Sequence, residues 1–113
     1  MRYMLLVCAD ESVQLSPEEQ AAIGPDTEAW VAEMDRRGVR LQGNQLRRVS
    51  DATTVRVRGG EVLATDGPFA ETKEQIAGFD LLECADLDEA IEVAAKHPVA
   101  RIGTIEVRPF WEE

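Results

Sequence analysis

The sequence is poor in the side chains that usually announce chemistry. Its 113 residues include one histidine and two cysteines. Cys8 and Cys84 form neither a CxxC spacing nor part of a cysteine-rich framework, so no disulfide scaffold and no metal site is expected. Both lie in apolar runs and read as reduced core thiols. Positive charge is also scarce, with 12 Lys+Arg against 22 Asp+Glu and a net charge of −10. Such a surface repels phosphate backbones and anionic lipid, which argues against nucleic acid or a membrane as a direct partner. The apolar opening "YMLLVCA" is far too short to span a bilayer, and Arg2 alone makes a poor signal-peptide start, so a cytoplasmic protein is expected. No phosphate-binding loop, nucleophile elbow or HExxH run occurs, which leaves nucleotide binding and covalent catalysis without support. No cofactor is expected.

What is present is an ordinary globular composition, 44% hydrophobic and 30% charged, without low-complexity tracts. Residues 1–113 are read as a single domain. Residues 2–9 form a short Leu- and Val-rich strand that suits burial on both faces. Ser16-Pro17-Glu18-Glu19 supplies an N-cap, a proline for the first helical position and a capping-box glutamate. The helix that follows meets Gly24-Pro25, which predicts either one helix broken near its middle or two in succession, with Trp30, Val31 and Met34 at helical spacing and Gly38 as the stop. Residues 39–50 have a weak pattern and read as irregular around Gly43-Asn44.

The next segment is clearer. "TTVRVR" and "EVLAT" flank Gly59-Gly60, a tight hairpin turn, and pairing Arg58 with Glu61 sets Val57 opposite Val62 and Val55 opposite Ala64. Residues 76–84 alternate as a strand with Phe79 and Leu81 on one side and Gly78, Asp80 and Leu82 on the other. Asp86 caps a second helix with Leu87, Ala90, Ile91 and Ala94 as its apolar stripe, closing at His97-Pro98. "GTIEVRPF" is the last strand. The order β-α-ββ-β-α-β predicts an α+β fold, a ferredoxin-like split βαβ sheet with an extra hairpin and both helices on one face. The other face needs a cover, and a second copy meeting it sheet to sheet is the economical one, so a homodimer is expected.

"DGPFAETKEQIAGF", "DLDEAIEVAAKHP" and "GTIEVRPF", together with the opening "RYMLLVCADE", resemble the DGPF subgroup of the YCII-related family over nearly the whole chain. The resemblance implies the dimeric α/β barrel fold. That fold hosts isomerases, monooxygenases and haem enzymes, so it does not select a reaction. The broader family is thought to pair a histidine early in the first helix with an aspartate just before a proline at the end of the second. Here His97 stands before Pro98 and the first helix has no histidine near Thr27, so that dyad does not carry over. Members of the subgroup often lie beside genes for extracytoplasmic-function sigma factors, which implies a regulatory or accessory alternative.

Two roles are open to Asp66: a carboxylate turned onto its own Asp-Gly-Pro turn, or a general base at the mouth of a cleft with its pKa raised by Phe69 and other apolar walls. His97 reads either as an imidazolium favoured by a helix C-terminus or as the partner acid–base group. Phe69, Glu71 and Lys73 are the candidate lining of a small-molecule cleft, with solvated loop side chains as the plainer reading. Two functions therefore compete: a homodimer whose cleft binds a small molecule and transfers a proton without a cofactor, or a non-catalytic regulatory module.

Overall fold

Ser16 opens the first helix as its spacing requires. Its hydroxyl accepts the Glu19 N–H at 3.1 Å while the Glu19 carboxylate accepts the Ser16 N–H at 2.9 Å, a closed capping box. In the computed structural model, which describes residues 1–112, the chain runs through β1 (Arg2–Ala9), α1 (Pro17–Arg36), β2 (Arg40–Gln45), β3 (Thr53–Arg58), β4 (Glu61–Asp66), β5 (Gln75–Glu83), α2 (Leu87–Ala95) and β6 (Thr104–Pro109).

The helix α1 is one continuous element of 20 residues despite Pro25. Proline removes one donor from the ladder, and two residues later the Thr27 hydroxyl donates to the Ile23 carbonyl at 2.7 Å. The helix nevertheless continues through Pro25 to Arg36, so the expected interruption does not occur.

Four strands form one antiparallel sheet in the order β2-β5-β1-β6, and β3 and β4 form a separate two-stranded sheet. Setting that hairpin aside leaves βαββαβ, so the chain has the expected ferredoxin-like α+β fold. Two differences from the sequence reading matter. Residues 40–45, read as irregular, are the edge strand β2, and the hairpin stands outside the main sheet. The hairpin itself has the expected register, Arg58 opposite Glu61 and Val57 opposite Val62, with Gly59 and Gly60 at φ 58 and 80, values that a two-residue turn of this kind demands.

Tyr3 and Leu5 of β1 and Leu82 of β5 pack against Trp30 and Met34 of α1 and Ala90, Val93 and Ala94 of α2. The stripe of α2 is rotated from its expected phase, since Leu87 and Ile91 are half exposed. Both helices lie on one face of the sheet. On the other, Met4, Leu6 and Cys8 of β1 and Phe79 and Leu81 of β5 remain only half-buried, so β1 is covered on one face rather than two. Among the described residues no helix is long and apolar enough to cross a membrane.

Candidate functional site

Alternation along β5 turns Asp80 to the helix side, between Gly78 and Leu82, where only 5% of it is exposed. A carboxylate there needs a partner, because burying an unpaired charge is costly. Arg40, the first residue of β2, supplies one: its Nε–H donates to Asp80 Oδ1 at 2.9 Å. A guanidinium nitrogen of the same arginine lies 3.5 Å from Asp35 Oδ1 at the end of α1. Gly43 stands directly opposite Asp80 across the β2–β5 ladder. A Cβ on Gly43 would fall 2.1 Å from Asp80 Oδ1 and 2.8 Å from Arg40 Nη2, so the pair occupies the space that any other residue would fill. Burial pushes the Asp80 carboxyl above the usual carboxylate range, the Arg40 hydrogen bond and charge oppose this, and Asp35 adds to it.

His97 belongs to the same place. It follows the end of α2 and caps a single 3-10 turn, Pro98–Arg101, where its Nδ1 accepts the Val99 N–H at 3.1 Å. That bond puts the ring proton on Nε2. The ring meets Trp30 edge to face at a centroid distance of 4.7 Å, and Trp30 is itself tied down by its Nε1–H donating to the Val93 carbonyl at 2.9 Å. Only 4% of His97 is exposed. Burial lowers its pKa to about 4, and the nearby Arg101 charge acts in the same direction. The expected imidazolium is corrected here: desolvation outweighs the helix terminus, and the ring is neutral at physiological pH.

Asp80, His97, Arg40, Asp35 and Trp30 all line one cavity of about 580 Å³ between α1 and the β2–β5 side of the sheet, a size that suits a small organic ligand. Among the described residues no buried side-chain nitrogen or oxygen lacks a partner. Asp80 Oδ2 and His97 Nε2 bond to no described residue, so neither atom is wholly buried.

Asp66 is elsewhere. It is the last residue of β4, exposed and paired with Thr53 of β3. Phe69 is 77% exposed, so it does not form the apolar wall expected beside Asp66. Among the described residues no hydrogen bond reaches the Asp66 carboxylate, and its turn is held instead by backbone, Gly67 N–H to the Ala52 carbonyl at 2.7 Å, and by the Thr54 hydroxyl on the Gly67 carbonyl at 2.8 Å. Asp66 and His97 are not brought together. Phe69 lines a second cavity of about 680 Å³ at the root of the hairpin, beside Cys8, Arg48, Thr54 and Ile76, whereas Glu71 and Lys73 line neither. Arg47 and Arg48 beside that second cavity are strongly exposed.

Asp80, Arg40 and Gly43 were not among the sequence candidates. The available signal was an acidic residue at an inward position of a strand, flanked by Gly78 and Phe79 before it and Leu81 and Leu82 after it. The thiols are poor nucleophiles, because burial raises both pKa values, that of Cys84 to about 11. Among the described residues no three His, Cys, Asp or Glu side chains gather as a metal-ligand set.

Fold and cavity together define a ferredoxin-like α+β protein with a carboxylate–guanidinium pair and a neutral histidine at the seam between helix and sheet. The chain matches the family model of the YCII-related domain across residues 1–113 and belongs to that family. It is similar to an uncharacterized protein of Rhizobium meliloti (strain 1021), 40% identical over 114 residues that cover 97% of this chain and 92% of the other.

Proposed function

We propose that the protein is a homodimer in which each subunit holds a small carbonyl compound in the cavity between α1 and the sheet and moves a proton on it without a cofactor. The observation that carries this reading is the presence in one cavity of a buried carboxylate with a raised pKa and a neutral histidine whose Nε2 carries the proton. A base poised nearer neutrality is better matched to proton abstraction than an ordinary aspartate.

Asp80 Oδ2 takes a proton from the carbon next to the carbonyl, and the electron pair of the broken C–H bond moves onto the carbonyl oxygen. His97 Nε2–H donates a hydrogen bond to that oxygen as its charge develops. On a β,γ-unsaturated carbonyl compound, return of the proton to the γ carbon of the resulting dienolate moves the double bond into conjugation and completes an isomerisation, and no oxidant or reductant is consumed. Arg40 holds Asp80 through Oδ1 and limits how far its pKa rises. Asp66, outside this cavity, has no step in the reaction.

The test is a panel of small carbonyl metabolites screened by thermal shift and by loss of α-proton NMR signals in D₂O. Wild type, Asp80→Asn and Asp66→Asn are compared. A compound that stabilises the wild type by mass action and exchanges its proton there should still bind Asp66→Asn and lose exchange in Asp80→Asn. Loss of binding in Asp66→Asn alone would return the site to the loop after β4. Binding without exchange in the wild type would favour the non-catalytic module, a ligand-responsive regulatory or accessory protein.

A further inference from the structure

The β3–β4 hairpin projects from its own subunit without packing appreciably on any other strand or helix. An isolated two-stranded ribbon is marginal in water, yet this one carries an apolar stripe. Val55, Val57 and Val62 share one face with Ala64, and the three valines are 62%, 57% and 68% exposed. The opposite face carries Arg56, Arg58 and Glu61, with Leu63 the one large apolar side chain among them at 41% exposure. A second uncovered apolar surface, Met4, Leu6, Phe79 and Leu81 on the open side of the sheet, lies on the same chain.

The dimensions point the same way. The molecule measures 47 × 46 × 18 Å with a radius of gyration of 16.0 Å, against roughly 13 Å for a compact chain of this length. Its accessible surface is 7922 Å², where a compact monomer of 12.5 kDa exposes roughly 6,200 Å². The excess is about twice the ~800 Å² that each partner contributes to a stable interface of standard size.

We infer that the β3–β4 hairpin is an arm that clasps a second copy of the chain, its Val55–Val57–Val62 stripe lying on the partner while the partner's arm lies on this subunit. Charge identifies the occupant. In a chain of net charge −10, the arm is balanced, Arg56 and Arg58 against Glu61 and Asp66, and the open sheet face carries the Arg108–Glu106 ion pair. The acidic excess is kept off the surfaces that have to meet, so two like-charged copies associate without juxtaposing it. A two-fold axis then covers both arms and both sheet faces in one closed, self-complementary contact. Asp66 lies at the root of the arm on the same face as the valines, which makes it an interface residue.

This inference rests on the homodimer of the proposed function and adds the arm to it. The experiment is light scattering after size exclusion on the whole chain, with Val57→Glu/Val62→Glu as the test variant and Arg56→Glu, on the opposite face, as the control. The wild type and Arg56→Glu should run at about twice the mass of one chain, and the double variant should run as a monomer with unchanged far-ultraviolet circular dichroism or dissociate at a concentration at least ten-fold higher. A dimeric double variant of undiminished affinity overturns the arm and leaves a sheet-to-sheet dimer standing, whereas a monomeric wild type overturns both. Should the variant fail to fold, isotope-filtered NOEs on mixed labelled and unlabelled wild type decide the matter. Intermolecular NOEs from the Val57 and Val62 methyl groups are expected, and their absence removes the arm.

Discussion

Asp80 on β5 and Arg40 on β2 form a nearly buried ion pair, 2.9 Å from Nε to Oδ1, in the space left by the missing side chain of Gly43. This contact joins an edge strand to the sheet interior and fixes the carboxylate on which the proposed chemistry depends.

Gly43→Ala should therefore be more harmful than its size implies. The added methyl carbon would lie 2.1 Å from Asp80 Oδ1 and 2.7 Å from the Phe79 carbonyl, so the pair or the edge strand has to move. A loss of about 1–3 kcal/mol is expected, the range for overpacking, read as a lower urea midpoint at unchanged slope. Ligand-induced thermal shifts should fall with it. An unchanged midpoint would mean that the pair readily finds another arrangement.

Removing one partner should cost more than removing both. Arg40→Met leaves Asp80 buried without its cation, and a loss of about 3 kcal/mol is expected. Arg40→Met combined with Asp80→Leu should recover most of that stability while remaining inactive in the proton-exchange assay. Urea unfolding of the two single variants and the double variant closes the cycle.

His97 should shape the acid limb of stability. In the unfolded chain it takes up a proton near pH 6.5, and in the folded chain only near pH 4. The unfolded state thus binds the proton more readily between those values. Stability is complete above pH 6.5 and falls as the pH drops toward 4, by about 3 kcal/mol from this group. His97→Asn, which keeps an acceptor for the Val99 N–H, should flatten that decline. Unfolding free energies at pH 7, 5.5 and 4.5 would test this, and parallel curves for the two proteins would remove His97 as the cause.

The outer helix surface should matter less. Arg37 of α1 reaches Glu92 of α2 through two hydrogen bonds of 3.0 and 2.7 Å, and Lys96 reaches Glu33 at 2.9 Å. These groups are in contact with solvent, where such pairs contribute roughly 0–1 kcal/mol and weaken with salt. Arg37→Gln should lower the melting temperature by a few degrees at most, and the difference should shrink in 0.5 M salt. A large, salt-insensitive loss would show that the network stabilises the helix pair by other means.

Much of the fold was legible locally. The capping box at Ser16, the Gly-Gly turn after β3, the alternation of β5 and the cap at Asp86 each depend on neighbours a few residues away. What escaped was the strand at residues 40–45. "RLQGNQ" is polar because it lies at the sheet edge, and its glycine answers a carboxylate nearly forty residues later in the chain. The candidate site was legible only in part. His97 stood out by being the single histidine, but its neutral state comes from burial among Trp30 and the cavity walls. Asp66 stood out through its motif, and the structure gives that motif a place on the exposed hairpin.

Periodicity, caps and turns determined the ferredoxin-like class, the uncovered sheet face and every main element except β2, because those signals are short-range and written in adjacent side chains. Only the tertiary structure decided which carboxylate shares a cavity with His97. Asp66 and Asp80 are chemically identical and fourteen positions apart, and their difference lies in what surrounds them: solvent around the hairpin strand that ends in Asp66, and a guanidinium, an indole-backed histidine and a glycine-sized gap around Asp80. Desolvation and pairing act through space, so folding assigned the two roles.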